Sequence, residues 1–323
     1  MKKRHKKHKT KQLSRAAAAG VLLGITLSFG KILLSHGFSQ EETAIEPNII
    51  ITDYTQSYYG AENPTGINIK TSEPLTEYVG TSSVPTVTDT RPVLRDQETE
   101  EILADLAKND PAIARIYSDR EAYPEDLLMA LACNQELTDF VSGYLTAGQT
   151  ATGGFTSDEA AQNFPLFLQW DARWGYVPYG GLNIGISGCG PTCLSMVIFA
   201  LTQNEAATPD ALASYSMNNG YYTEGVGTAW SFMTDAVSNY GVQAAELGLD
   251  EGSMKYYLDR GCPIICAMRP GDFTISGHFI MLYGYDQDGF KVNDPNSRER
   301  SNRRWDFETL RSQIKNLWVY QKS

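Results

Sequence analysis

Histidine and cysteine are scarce in this chain, and their scarcity narrows the candidates for catalytic chemistry. The 323 residues include only four histidines and five cysteines. Three of the histidines, His5, His8 and His36, lie in or beside the N-terminal targeting segment. His278 is therefore the single histidine available to the folded part of the chain. Because five is an odd number, at least one cysteine of an exported protein would stay outside any disulfide, which agrees with a reactive thiol.

Acidic residues are absent before Glu41, and this absence sets the first 40 residues apart from the rest. Nine of the 27 basic residues lie there, which leaves 18 basic residues against all 38 acidic ones in the remainder. The remainder thus carries a net charge of about −20. Such a charge disfavours nucleic acid as a partner.

Long hydrophobic runs are lacking except at residues 16–34, which only three polar residues interrupt. As a helix, this run would span about 28 Å, close to the thickness of a bilayer core. The preceding basic block would keep the N-terminus in the cytoplasm, so that everything after residue 35 would be exported. We therefore expect a single-pass cell-membrane anchor. The alternative is secretion after cleavage, because residues 28–30 and 35–37 both roughly fit a signal-peptidase site.

Shifts in composition divide the chain into four predicted regions. Residues 1–35 form the basic N-terminus with the anchor or signal segment, and residues 36–96 form a disordered linker rich in Thr, Ser, Glu, Pro and Gly. Residues 97–150 predict a small helical module in which no residue is a candidate for chemistry, and Cys133 is expected in its core. Residues 160–323 form the catalytic domain, which is long enough for an independently stable core.

The predicted elements of the catalytic domain change from helices to strands along the chain. This order indicates an α+β fold with a mostly antiparallel sheet. The expected helices lie near 209–218, 227–240, 250–260 and 306–315, and the expected strands at 242–247, 264–268, 278–283, 290–293 and 317–320.

Cys189 lies in the stretch SGCGPTC at residues 187–193, directly before an apolar run with helical spacing. Pro191 suits the first turn of a helix, and the spacing of the run predicts one buried helix face. At such an N-terminus, unpaired N–H groups and the helix dipole favour a thiolate. Gly188 and Gly190 would leave room for a substrate backbone. The alternative is an unreactive cysteine packed under a helix end.

His278 begins a predicted strand whose hairpin partner ends at Asp294, 16 residues later. If residues 284–288 form a five-residue loop, the two side chains lie directly opposite each other, with Cβ atoms about 5 Å apart. A two-residue turn at 287–288 would place them on opposite faces. In the first register, Asp294 would hold the imidazole, and His278 would hold or create the thiolate of Cys189.

Gln169 is a further candidate, 20 residues before Cys189. A glutamine amide can donate to a developing oxyanion beside the backbone N–H of the cysteine. A polar residue on an exposed loop explains this position equally well.

The spacing of the other cysteines raises the question of a zinc site. Cys189 and Cys193 are four residues apart, as are Cys262 and Cys266, whereas zinc-binding pairs usually have two intervening residues. Cys262 and Cys266 also alternate with Ile264 on one face of a strand, which favours core packing. No metal and no cofactor are predicted, and a disulfide between Cys193 and Cys266 stays open.

The region from about residue 164 to 323 resembles the papain-like cysteine peptidases of family thirty-nine. These are relatives of the bacteriocin-processing domains that remove double-glycine leaders. The resemblance rests on Leu166, Gln169-Trp170-Asp171, the stretch Ser187 to Thr192, Gly277-His278 and Asn293-Asp294-Pro295.

The resemblance implies a papain-like α+β fold in which the helices bear the cysteine and the antiparallel sheet bears the histidine and the aspartate. It implies Cys189 as nucleophile, His278 as base, Asp294 as orienting residue and Gln169 as oxyanion donor. Double-glycine specificity is not carried over, because those processors are usually cytoplasmic domains fused to an ABC transporter. This chain is expected to carry no such transporter and to face outward.

We therefore expect an extracellular, membrane-tethered cysteine peptidase that acts on a peptide or protein. One alternative is an amidase or endopeptidase of related fold that cleaves cell-wall peptide. Another is a catalytically idle peptide-binding module. The presence of all four site residues argues against the idle module, whereas the sequence does not decide between the two enzymes.

Overall fold

The computed structural model of the chain describes residues 96–223 and 227–323, which belong to one compact unit. Within these ranges the helices are α1 (Asp96–Leu106), α2 (Pro111–Ser118), α3 (Glu125–Cys133), α4 (Thr138–Gly143), α5 (Ser157–Ala160), α6 (Ile184–Ser187), α7 (Cys189–Thr202), α8 (Pro209–Asn218), α9 (Phe232–Asp235), α10 (Glu251–Leu258), α11 (Arg298–Asn302) and α12 (Phe307–Gln313). The strands are β1 (Pro178–Tyr179), β2 (Leu182–Asn183), β3 (Tyr222–Thr223), β4 (Gly227–Thr228), β5 (Val242–Glu246), β6 (Ile264–Met268), β7 (His278–Asp286), β8 (Gly289–Asn293), β9 (Arg304–Trp305) and β10 (Ile314–Lys322).

Helices α1 to α4 form the helical module and pack around a small apolar core. α2 begins at Pro111 because the Asp110 carboxylate caps it, accepting from the N–H groups of Ala112 and Ile113 at 2.7 and 3.2 Å. The module shares its core with the start of the catalytic domain. Its buried residues include Leu103, Ile113, Leu127, Leu131 and Phe140 together with Leu168 and Trp170. The division at 97–150 and 160–323 into separate domains stays a prediction.

Helix α7 lies at the centre of the catalytic domain. Residues 190–199 are all buried, whereas the sequence predicted a single buried face. The helix packs against α8, β7 and β10, so apolar neighbours surround it. A helix that is hydrophobic all round is typical of such a position.

The main sheet is antiparallel, with strand order β5-β10-β6-β7-β8-β9. Its two faces bury two separate cores. Ile265, Phe279 and Met281 belong to the core that includes α7, and Ile280 and Leu282 belong to the core on the other face. The predicted papain-like α+β fold, with helices before an antiparallel sheet, is confirmed.

The helix predicted over residues 227–240 is wrong. Residues 227–228 form strand β4, and only the short helix α9 and a 3-10 turn at Val237–Tyr240 follow. Gly227 has φ +97°, which no helical residue adopts. The Thr228 hydroxyl also hydrogen-bonds to the Tyr179 hydroxyl at 2.8 Å, which fixes the strand against the core.

In the two described ranges, every helix is too short or too polar to cross a bilayer. The predicted anchor at residues 16–34 lies outside the described residues, as does the predicted linker except for Asp96, which begins α1.

Candidate active site

Cys189 is the first residue of α7 and is partly exposed. Pro191 lies in the first turn, as the sequence predicted. The N–H groups of a first helical turn have no partner within the helix, so they are available to a developing negative charge. The chain therefore places this thiol where a helix end meets the surface.

The two glycines beside Cys189 have a different role from the predicted one. A Cβ on Gly188 would lie 2.5 Å from the Ile184 backbone oxygen, and a Cβ on Gly190 would lie 2.9 Å from the Thr228 hydroxyl. Both glycines are buried. Their small size serves close packing inside the protein, and not space for a substrate backbone.

His278 and Asp294 come together through a hairpin that differs from the expected five-residue loop. The hairpin of β7 and β8 turns through two residues, 287–288. That register alone would put the two side chains on opposite faces of the sheet.

A bulge at Tyr283 corrects the register. It lies between the pairs Gly284–Lys291 and Leu282–Val292, so that β7 has one extra residue. Beyond the bulge, His278 and Asp294 share a face as diagonal neighbours. The sequence signal for this bulge was Gly284, because a glycine inside a strand often marks one.

The His278 imidazole connects the other two residues. Its Nε2–H donates to Asp294 Oδ1 at 2.7 Å, and the Cys189 thiol lies near enough to the imidazole to act on its pKa. Because Asp294 takes Nε2, Nδ1 is left for the sulfur. Burial by itself would lower the pKa of His278, but the charge and hydrogen bond of Asp294, together with Cys189, raise the pKa to about 9.

Asp294 is fully buried and is held from several sides. Oδ2 accepts from Arg300 Nε at 2.5 Å, and Oδ1 also accepts from the Asn296 N–H at 2.7 Å. Burial by itself would raise the pKa of Asp294, but the charges and hydrogen bonds of His278 and Arg300 hold this pKa below its usual value. Arg300 was not predicted from the sequence, since no motif links it to Asp294 six residues earlier.

Gln169 lines the same groove as Cys189 and is 3% exposed, so it does not lie on an exposed loop. Its Nε2 donates to the carbonyls of Gly185 and Ile186 at 2.9 and 3.2 Å. Its Oε1 is buried and has no partner among the described residues. Both amide hydrogens therefore hold α6, the short helix directly before Cys189.

The groove at Cys189 and His278 has a volume of about 270 Å³. The helical module forms one part of its wall through α3 and the next residue, including Asp126, Met129 and Asn134. Another part is the loop 271–277, which Gln313 holds by accepting from the Asp272 N–H and donating to its carboxylate at 2.6 Å. The module therefore lines the groove, although no residue in it was a candidate for chemistry.

The remaining cysteines are not arranged as a second site. Cys193, Cys262 and Cys266 lie in the apolar cores, as predicted, and burial raises the pKa of each thiol. Cys193 and Cys266 are free thiols. Cys133, by contrast, is exposed at the groove and not in the core. It ends α3 two residues after buried Leu131, and this spacing turns it to the other side of the helix.

Three solved structures resemble the chain at low similarity. The peptidase domain of Streptococcus ComA, described as a bifunctional ABC transporter involved in a quorum-sensing pathway, is 18% identical, with TM-score 0.33 over 42% of this chain and 93% of its own. A double-glycine-motif protease from an AMS/PCAT transporter, solved in complex with the leader peptide, is 17% identical and has a TM-score of 0.28. The match covers 53% of this chain and 100% of the protease chain. A C39-like peptidase from Bacillus anthracis is 16% identical and has a TM-score of 0.31. The match covers 53% of this chain and 99% of the peptidase chain.

No curated protein matches the sequence. The model of the Peptidase_C39 like family matches residues 161–323, which is just over half of the chain and coincides with the predicted catalytic domain. Membership of this family indicates a cysteine peptidase. The chain belongs to the Peptidase_C39 like family.

Proposed function

We propose that the chain is a cysteine peptidase that hydrolyses peptide bonds through Cys189, His278 and Asp294. The observation that carries the proposal is that the three side chains meet at one groove, with His278 between Asp294 and Cys189. His278 hydrogen-bonds to Asp294 at 2.7 Å, and the thiol of Cys189, the first residue of α7, lines the same groove and acts on the pKa of the imidazole. A nucleophile, a base and a group that orients the base are the parts that covalent amide hydrolysis needs.

In the first half of the reaction, the Cys189 sulfur attacks the carbonyl carbon of the scissile peptide bond. His278 Nδ1 carries the proton of the thiol and gives it to the leaving amine, so that a thioester forms as the C–N bond breaks. Asp294 keeps Nε2 fixed throughout. In the second half, His278 takes a proton from water, the hydroxide forms the new C–O bond, and the sulfur leaves with its proton restored.

The oxyanion would accept from the N–H groups at the start of α7 and from the Gln169 amide. Gln169 can donate only if one of its hydrogens leaves the carbonyl of Gly185 or Ile186, since both are engaged without substrate. The longer of these two bonds, 3.2 Å to Ile186, is the one that we expect substrate to replace.

We also propose that the catalytic domain works outside the cell, tethered to the membrane by residues 16–34. The basic block directly before this run supports this orientation. Protease treatment of intact cells should digest the domain, and full protection would reject the topology. A mature N-terminus near residue 31 or 38 would instead favour secretion.

The activity is tested by incubating the full-length protein and its Cys189→Ala variant with a peptide library and with purified cell-wall peptides. We expect hydrolysis of library peptides by the unchanged protein only. Cleavage of wall peptides alone would assign the enzyme to cell-wall amide hydrolysis. No turnover of either substrate, in a protein whose Cys189 still reacts with iodoacetamide, would support a binding module and contradict the proposal.

A further inference from the structure

We propose that Glu136 of the helical module is a positioning residue for the active site, which acts on His278 through α11 and Asp294. Only the kcat measurement in the test below rests on the proposed function; the contacts and the titration of His278 do not. Glu136 lies outside the 161–323 region that the family model matches.

The Glu136 carboxylate binds the N-terminal end of α11. It accepts from the Ser297 hydroxyl at 2.5 Å and from the backbone N–H groups of Arg298 and Glu299 at 2.9 and 3.3 Å. Ser297 also caps this helix itself, because its Oγ accepts from the Arg300 N–H at 3.1 Å. A helix of only five residues cannot hold its own geometry, so its position depends on these outside contacts.

Helix α11 in turn holds Asp294 from two directions. Arg300 donates to the Asp294 carboxylate, and the Ser301 hydroxyl accepts from the Asp294 N–H at 2.9 Å. A displaced α11 would therefore move the carboxylate that fixes His278 Nε2. Glu136 is thus connected to the imidazole through two charge-assisted contacts, at Glu136–Ser297 and Arg300–Asp294.

The neighbouring Asn134 strengthens the same connection. Its Nδ2 donates to the Asn296 carbonyl at 2.6 Å, and its Oδ1 accepts from the Glu136 N–H at 3.1 Å. The Trp170 indole donates to the same Asn296 carbonyl at 3.0 Å. The segment between Asp294 and α11 is therefore held by the module on one side and by the catalytic domain on the other.

The test is a titration of His278 by NMR in the full-length protein, in Glu136→Ala and in Glu136→Gln. The chain has only four histidines, so the His278 signal can be assigned with a His278→Gln variant. We expect the pKa of His278 to fall by about one unit in Glu136→Ala and by less in Glu136→Gln, which keeps one carbonyl acceptor. We expect kcat to fall about tenfold with KM unchanged, because a displaced Asp294 would orient the imidazole less well for the proton transfer.

The control is Glu121→Ala, an exposed glutamate of the same module, which should change neither the titration nor kcat. An unchanged His278 titration with a lowered melting temperature in Glu136→Ala would reduce Glu136 to a structural contact and overturn the inference. If Glu136→Ala does not fold, the Glu136→Gln titration decides in the same way. A shifted titration in a protein that hydrolyses no peptide would keep the inference and reject the proposed function.

Discussion

The two sides of the candidate active site are held by different kinds of interaction. Cys189 begins a helix whose residues 190–199 are buried among apolar side chains, so packing of the helix fixes the thiol. Asp294 is fully buried too, but it lies in a network of charges and hydrogen bonds that includes Arg300 and Asn296. The free energy of unfolding should therefore change little when the Cys189 side chain is removed and much more when the Asp294 side chain is removed.

Cys189→Ala is the sharpest way to test the apolar side. We expect turnover to be lost completely, because the variant lacks the thiol proposed to form the thioester, while the free energy of unfolding changes by about 1 kcal/mol or less. Peptide hydrolysis and urea unfolding measure the two effects. Cys193→Ala is the matched control: it should keep turnover but lose about 1–2 kcal/mol of stability, because its buried sulfur leaves a cavity. A Cys189→Ala protein with residual thioester chemistry would contradict the assignment.

Asp294→Ala tests the polar side. The variant leaves Arg300, whose side chain is 17% exposed, without its ion-pair partner, so we expect a loss of about 3 kcal/mol in the free energy of unfolding. Turnover should fall less than in His278→Ala, because Asp294 orients the base and does not itself move a proton. Urea unfolding and kcat/KM measure both. Equal stability of Asp294→Ala and Cys189→Ala would contradict the difference between the two sides.

Gln169→Ala should cost about 3 kcal/mol of transition-state stabilisation, as loss of one oxyanion donor does in other enzymes. The same amide holds Gly185 and Ile186 before Cys189, so a second explanation of any rate loss is a displaced α6. The reaction rate of Cys189 with iodoacetamide separates the two, because alkylation needs no oxyanion donor. Lowered kcat/KM with unchanged alkylation supports the donor, and equal loss in both supports the structural explanation.

The apolar side was also the easier one to predict from sequence. The helix start at Cys189, the helix over 209–218 and the strand over 264–268 follow from local spacing, and all three match the structure. Local patterns predict the bounds of these elements, although residues 190–199 of α7 are buried on every side and not on the single predicted face. The catalytic roles of Cys189 and His278 stay predictions.

The polar side depends on the register of one hairpin and on contacts between residues far apart in the sequence. The bulge at Tyr283 changes the register by one residue, and the hairpin was expected to have a longer turn. Arg300 reaches Asp294 through a five-residue helix, and Glu136 reaches that helix from 161 residues away in the chain. Hydrogen bonds between such distant residues have no period in the sequence, so only the structure reveals them.

The pH dependence of stability gives a smaller but more specific test of the His278–Asp294 pair. The pKa of His278 is raised from 6.5 to about 9, so its contribution to stability is fully present below pH 6.5 and is lost as the pH rises through about 9. The pKa of Asp294 is lowered, so its contribution is present above its usual value and is lost as the pH falls through the lower folded value.

We therefore expect the free energy of unfolding to fall by about 3 kcal/mol at most between pH 6.5 and pH 9.5 through His278, because a shift from 6.5 to about 9 sets that limit by linkage. Urea unfolding across this range measures the fall, with His278→Gln as the control that removes the titrating group and should flatten the curve. Arg300→Gln removes one charge from Asp294 but leaves the imidazole contact, so its curve should keep most of the slope. If the free energy of unfolding of the wild type varied with pH as little as that of His278→Gln, Asp294 would not stabilise His278 as an imidazolium. The polar side would then lack the charge coupling that distinguishes it from the cysteine side.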